Sequence, residues 1–331
     1  MNKMAIAIDL GGTFIKGALV DRAGKIVSPT QTPTGKDLSP NAVIDRLVDV
    51  IQRLRAVAEK EGANTVIGVG LGCPGGVYRD RARVSQSPNF PQWRDVQLRG
   101  PLEERLGLPV VLENDANVAA LGEQWLGVGR DVDSLVLLTL GTGIGGGVIL
   151  NGRIWQGEWG MAGEIGHITV ERDGPLCGCG NRGCLEAIAA GPAIVRQAKE
   201  AIARGEGRRL LQMLDGDIEK VTPLAVYDAA RQGCSVCENI LREAAQYIGI
   251  VIASVLNVLN VPLFVIGGGI SAAFDVLGPT IRREVRARAY RVPGENVRIE
   301  RAALGNDAGA LGAGLLVFQE FDTIIGKQVH E

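Results

Sequence analysis

Two units of strand, glycine turn and strand dominate what this chain can fold into. The apolar run Met4 to Ile8 has a strand's length, passes into Asp9-Leu-Gly-Gly-Thr13, and resumes as Phe14 to Val20 before turning at Asp21-Arg-Ala-Gly24. One domain later the pattern returns, with Ser134 to Leu140 as a strand, Gly141-Thr-Gly-Ile-Gly-Gly-Gly147 as the turn and Val148 to Leu150 as the returning strand. Recurrence of one supersecondary unit at this distance reads as an internal duplication. Glycine makes such turns possible because it lets backbone approach a neighbour closely. The chain holds 46 glycines in 331 residues, against a usual share of about 7%, and the excess sits in a few loops.

Between the two hairpins the periodicity alternates. Ser39 as cap, Pro40 at the first position and apolar residues at Val43, Ile44, Leu47, Val50, Ile51 and Leu54 predict a helix that stops at Gly62. Val66 to Leu71 is a strand running into Cys73-Pro-Gly-Gly76, and a short helix near Pro101 to Leu106 leads to the strand Pro109 to Leu112. That strand empties into Glu113-Asn114-Asp115-Ala116-Asn117 and an alanine-rich helix. Alternating strands and helices predict an α/β fold with a mainly parallel sheet.

A chain of this length exceeds what one core usually holds, so two domains are expected, residues 1–118 and 119–331. Residues 246–274 carry no charge, but Asn257, Asn260 and Pro262 break them into a buried helix ending near Leu259 and a strand, Leu263 to Ile266, followed by Gly267-Gly-Gly-Ile-Ser271. The last helix, about residues 307–320, is so rich in glycine and alanine that its backbone must pack closely, here back onto the first domain. With 35 basic and 37 acidic residues the net charge is −2, which gives no electrostatic case for nucleic acid or an anionic membrane. The first residues show no cleavable signal, so a cytoplasmic protein with reduced thiols is expected.

Four residues carry metal chemistry. His167, Cys177, Cys179 and Cys184 fall in one short loop of turn sequences, Cys-Gly-Cys-Gly and Asn-Arg-Gly-Cys, where cysteines point inward for a bond or a metal. One imidazole and three thiolates close a tetrahedral zinc shell, so the metal is expected to hold the loop and do no chemistry itself. The loop presents Glu164 and Glu186, which with His167 form a set suited to polyol hydroxyls. Cys234 and Cys237 lie in a helical stretch and read as buried thiols, and the other histidine, His330, lies near the end of the chain.

Gly141-x-Gly143-x-x-Gly146 has the spacing of a dinucleotide fingerprint, but a strand follows it where that fingerprint needs a helix. No Gly-x-x-x-x-Gly-Lys-Ser/Thr occurs. The two glycine turns, each with a threonine (Thr13, Thr142), are expected to face one another and grip a polyphosphate through backbone N–H groups. Phosphoryl transfer also needs a carboxylate to take the proton of the attacking hydroxyl. Asp115, just past the carboxyl end of a strand and flanked by Asn114 and Asn117, is the candidate; the alternative for an aspartate before an alanine-rich helix is an N-cap.

Asp9-Leu-Gly-Gly-Thr, Glu113-Asn-Asp-Ala-Asn, Leu140-Gly-Thr-Gly-Ile-Gly-Gly-Gly, Glu164-Ile-Gly-His and Cys177-Gly-Cys-Gly-Asn-Arg-Gly-Cys-Leu-Glu186 together resemble, in order, the motif series of the ROK family of repressors, open reading frames and sugar kinases. The resemblance implies a two-lobed, actin-like ATPase (ribonuclease H-like) fold with ATP, magnesium and sugar in the cleft between lobes. It implies Asp115 as catalytic base, with Asp9, Gly11, Gly12, Thr13 and Lys16 handling magnesium and phosphate. Gly141, Thr142, Gly143 and Gly145 would form the second phosphate loop, and Gly268 with Gly269 would lie near the adenosine. Glu164, His167 and Glu186 would bind sugar hydroxyls, joined by Gly75, Asn89 and Asn114. His167 would then serve both zinc and sugar.

Ser87-Pro-Asn-Phe-Pro-Gln-Trp93 and Asn-Arg-Gly-Cys-Leu-Glu resemble most the glucokinase group of that family, so phosphorylation of the glucose 6-hydroxyl is expected. Fructose or N-acetylmannosamine is the alternative acceptor, and a sugar-binding transcriptional regulator without its DNA-binding domain is the alternative class. Regulators of the family carry a helix-turn-helix domain ahead of the first phosphate loop, which here opens at Asp9. The resemblance also implies a homodimer or homotetramer.

Overall fold

The computed structural model describes residues 2–35, 37–60 and 64–328, with side chains of 2, 64 and 321–328 outside the description, so Gly62 and His330 lie beyond the described residues. Two compact units emerge, the first made of residues 1–133, 147–163 and 303–331, the second of residues 134–146 and 164–302.

The first unit opens with β1 (Asn2–Leu10), β2 (Phe14–Asp21) and β3 (Ile26–Pro33) as an antiparallel meander. β3 has no sequence signal, because its burial alternates weakly and Pro29 and Pro33 interrupt it. Helix α1 (Pro40–Lys60) begins where the Ser39 and Pro40 pair predicts, and buries Val43, Ile44, Leu47, Val50, Ile51 and Leu54 against the sheet. After β4 (Asn64–Cys73), a small ribbon of β5 (Arg83–Val84) and β6 (Val96–Gln97) precedes α2 (Arg99–Leu106), β7 (Val110–Asn114) and α3 (Asp115–Trp125). The strand order is β3-β2-β1-β4-β7, with β1, β4 and β7 parallel.

The chain then builds β8 (Leu135–Leu140), β9 (Ile144–Leu150) and β10 (Arg153–Ile154). The glycine turn is shorter than the sequence suggests: β9 starts at Ile144, so Gly145, Gly146 and Gly147 are strand residues. Gly147 is glycine for a steric reason, since a methyl group on it would stand 2.5 Å from the Ala116 carbonyl oxygen of α3. Short helix α4 (Leu185–Ala189) follows the cysteine loop, then α5 (Gly191–Ala203), α6 (Arg208–Met213), α7 (Pro223–Arg231) and α8 (Ser235–Leu259). β11 (Leu263–Gly267), α9 (Phe274–Arg288), α10 (Arg291–Asn296), β12 (Arg298–Arg301) and α11 (Ala308–Gln328) complete the order. The second sheet runs β10-β9-β8-β11-β12, with β8, β11 and β12 parallel. Its sequence of hairpin partners followed by parallel strands repeats that of the first sheet, which is the duplication the two hairpins suggest.

α8 is long and apolar enough for a membrane span, but its Ile248, Val251, Ile252 and Leu256 are buried, and the helix packs on α5, α7 and α9. Asn260 ends it in the left-handed conformation, satisfying the Leu256 carbonyl. Cys234 and Cys237 open this helix as buried thiols.

α11 belongs to the first unit, lying on α3, β1 and β4. Its small residues are required there. A methyl group on Gly312 would stand 1.6 Å from the Val118 carbonyl oxygen, and one on Gly70 of β4 would stand 2.0 Å from that of Ala313.

Candidate active site

The first glycine turn joins β1 to β2. Gly11 N–H donates to the Phe14 carbonyl at 2.9 Å, and the Thr34 hydroxyl donates to the Gly11 carbonyl at 2.7 Å, which locks the turn from β3's end. No intraprotein bond is formed by the Gly12 and Thr13 N–H groups among those described. These successive donors are what an anion-binding turn needs. Asp9 stands at the end of β1 with Lys16 Nζ 4.0 Å from its Oδ2. Burial raises the Asp9 carboxyl above its ordinary 3.8, and Lys16 offsets part of that rise. Asn89 lies over the turn: a methyl group on Gly12 would stand 3.0 Å from its Nδ2. Phe90 and Trp93, fully buried and stacked with ring centroids 4.3 Å apart, anchor the segment that carries Asn89.

β7 delivers the candidate base. Its last residue, Asn114, is the N-cap of α3, the side chain accepting from Ala116 N at 2.9 Å and Asn117 N at 3.2 Å. Capping therefore falls to Asn114, and Asp115 occupies the first helical position, exposed, with Oδ1 accepting the Ala116 N–H at 2.8 Å. Asn114 Nδ2 donates to the Gly75 carbonyl at 3.0 Å. Gly75 is irreplaceable in that role, with φ +97° and a notional Cβ 2.1 Å from the Gln86 carbonyl oxygen.

Glu113, one residue before the cap, escapes sequence reasoning as a site residue. It is fully buried and accepts from Asn114 N–H at 2.9 Å, Asn117 Nδ2 at 2.9 Å, Gln156 Nε2 at 2.8 Å and Arg81 Nη2 at 3.3 Å. Burial raises its carboxyl above the ordinary 4.5, while Arg81 and the hydrogen bonds hold it down. Arg81, at φ +52°, also donates to Glu320 of α11. Val110 and Leu112 face inward, so strand alternation alone would leave Glu113 exposed; the Arg81 and Gln156 partners, far away in sequence, account for its burial.

In the second unit, His167, Cys177, Cys179 and Cys184 bring their ligand atoms within 4.8 Å of one another. Cys177 Sγ lies 3.6 Å from His167 Nδ1, and Cys179 Sγ lies 3.7 Å from Cys184 Sγ. A tetrahedral zinc with bonds of about 2.0–2.3 Å has edges of about 3.5–3.8 Å, so the donor set and its spacing fit the ion. Burial pushes the Cys177 thiol up to about 12, which disfavours a thiolate there without a cation beside it. With Nδ1 turned to the sulfurs, His167 Nε2 lies 3.8 Å from Glu164 Oε2. Burial and Glu186 raise the Glu164 carboxyl above 4.5, against His167.

Glu186 ties this loop to the second glycine turn. Its Oε2 accepts the Ile144 N–H at 2.9 Å, and Oε1 lies 3.7 Å from Cys177 Sγ. A methyl group on Gly143 would stand 2.5 Å from Oε2, so a side chain there would have to displace the carboxylate. Gly141 N–H donates to the Gly143 carbonyl, and Gly191 N–H to the Gly141 carbonyl, each at 2.9 Å. Among the described residues, Thr142 and Gly143 N–H groups carry no such bond, which repeats the paired donors of the first turn. A cavity of about 540 Å³ opens beside this turn, lined by Gly141, Thr142 and Gly269 among others. Gly268, at φ +78°, lies against the Leu140 backbone, where a methyl group would stand 2.3 Å from the carbonyl oxygen. Gly145 stands within β9.

A model of the ROK family matches residues 5–320. The chain is 39% identical over 317 residues to a glucokinase of Halalkalibacterium halodurans, covering 95% of each chain. The crystal structure of a ROK family glucokinase from Streptomyces griseus in complex with glucose and AMPPNP is 37% identical, with a TM-score of 0.79 and coverage of 96% of this chain and 99% of that one. A ROK family transcriptional regulator, a homolog of the E. coli MLC protein, is 28% identical with a TM-score of 0.87; 96% of this chain matches 78% of it.

Proposed function

We propose, from the premise that this chain belongs to the ROK family, that it is an ATP-dependent glucose kinase forming glucose 6-phosphate. The observation that carries the reading is Asp115: exposed at the carboxyl end of a parallel strand, in the unit that also holds a two-donor phosphate turn, and relieved of capping by Asn114. The regulator shares the backbone shape, but the higher identity and near-complete mutual coverage belong to glucokinases.

In this reading Asp115 accepts the proton of the glucose 6-hydroxyl as that oxygen bonds to the γ-phosphorus and the bond from phosphorus to the leaving β-phosphate oxygen breaks. Asn89, Asn114 and Gly75, with Glu164, His167 and Glu186, are the residues proposed to bind the sugar hydroxyls. Gly12 and Thr13, and Thr142 and Gly143, supply N–H groups to the phosphates, where charge on the departing ADP grows. Asp9 is the residue to hold magnesium, a hard cation that neutralises phosphate charge when bound. His167, Cys177, Cys179 and Cys184 would hold a structural zinc, and His167 Nε2 is the atom left to face a hydroxyl.

The test is a coupled assay across glucose, fructose, mannose, N-acetylglucosamine and N-acetylmannosamine with ATP. Glucose is expected to give the highest kcat/KM, with 6-phosphate as product. Turnover of acetamido sugars and none of glucose would refute the assignment.

A further inference from the structure

We propose that this enzyme does not read the purine of its nucleotide, and so takes GTP and ITP as phosphoryl donors alongside ATP. The inference deepens the kinase reading above and rests on it. The cavity of about 540 Å³ next to Gly141 and Thr142 is roomier than the one of about 260 Å³ that Thr142 also lines, and it is the one in which we place the base. Its side-chain walls are apolar: Val195, Val221, Leu224, Leu241 and Ile270, with the ring of Tyr227. A purine face gains from such walls by area and stacking, which are nearly the same for adenine, guanine and hypoxanthine.

Discrimination needs a fixed group, side chain or backbone, that can only donate or only accept towards the six-position, where adenine donates from an amino group and guanine and hypoxanthine accept through a carbonyl oxygen. The cavity's lining residues include no Asp, Glu, Asn, Gln, Lys or Arg. The polar side chains that do line it are Thr142, Thr222 and Tyr227. Tyr227 sends its hydroxyl to Asp275 Oδ1 at 2.8 Å, and Thr222 caps α7 by accepting from Ala225 N–H at 3.1 Å. A threonine hydroxyl donates or accepts by rotating, so it suits either purine edge. Of the backbone groups at the mouth, Gly191 N–H is bonded to the Gly141 carbonyl and Gly141 N–H to that of Gly143. Apolar pockets separate substrates by roughly 10- to 200-fold, whereas sites built on directed hydrogen bonds reach roughly 10⁴- to 10⁵-fold.

The experiment measures kcat/KM for ATP, GTP and ITP at saturating glucose with magnesium, on the wild-type protein and on Leu224→Trp, which fills the wall of the cavity. GTP and ITP values within a hundredfold of ATP are expected; a larger preference for ATP overturns the inference. Leu224→Trp is expected to raise KM for all three nucleotides more than tenfold while KM for glucose moves less than twofold. An unchanged nucleotide KM would overturn the placement of the base. Absence of turnover with all three donors would instead remove the kinase reading itself.

Discussion

Glu113→Ala should be far more damaging than its position outside the reacting atoms suggests. The carboxylate is fully buried and receives four donors, one of them the guanidinium of Arg81. Removing one partner of a buried ion pair costs about 3–5 kcal/mol. Arg81 keeps Glu320, whose side chain is 41% exposed, so the lower end applies. Asn117, 1% exposed, then has its amide donor stranded, adding about 1–3 kcal/mol; Asn114 and Gln156 are half-buried and can turn to water. The sum, about 4–6 kcal/mol, rivals a typical total stability of about 5–15 kcal/mol. Urea unfolding followed by tryptophan fluorescence should show that loss. Glu113→Gln, which keeps an acceptor, should lose less stability, and kcat should fall more than glucose affinity because the junction holding Asp115 loosens. A Glu113→Ala protein destabilised by under about 1 kcal/mol would refute the reasoning, since a partly buried guanidinium stripped of its buried partner and a buried amide stripped of its acceptor cannot together be that cheap.

Other perturbations separate the remaining parts. Cys179→Ala should lose stoichiometric zinc by elemental analysis and weaken glucose binding about 10- to 100-fold, the range for loss of a site's supporting shell; full affinity in metal-free protein would contradict the link from loop to sugar. For Asp9 the folded protein holds the carboxyl above its ordinary 3.8, so the native state binds the proton more tightly than the unfolded chain. Stability from this group is therefore present below about pH 3.8 and is lost as pH rises through the folded value. Asp9→Asn should remove that loss, leaving the ligand-free protein more stable at neutral pH while abolishing turnover. A lower neutral-pH unfolding midpoint for Asp9→Asn would reverse the sign.

Much of the layout was legible because it rests on local chemistry. The paired glycine turns, the capped and periodic helix α1, and the tight cluster of His167 and three cysteines each follow from residues near one another in sequence. The broken apolar stretch at Asn260 and Pro262 was legible for the same reason. What was hidden depends on partners distant in sequence. β3 shows only weak alternation and joins the sheet through β2. Glu113 is a site residue because Arg81 and Gln156 reach it, and Glu186 serves the second glycine turn because Ile144 offers an N–H across the fold of the second unit. Gly147 has to be glycine because Ala116 passes close to it. None of these has a sequence period.

The most direct measurement is the pair of kcat and glucose affinity for Asp115→Ala. General-base catalysis contributes about 10²- to 10⁴-fold, so kcat should fall by at least that lower bound while calorimetry still records glucose binding within tenfold of wild type. A variant that turns over glucose within tenfold of wild type would contradict the assignment of proton transfer to this carboxylate.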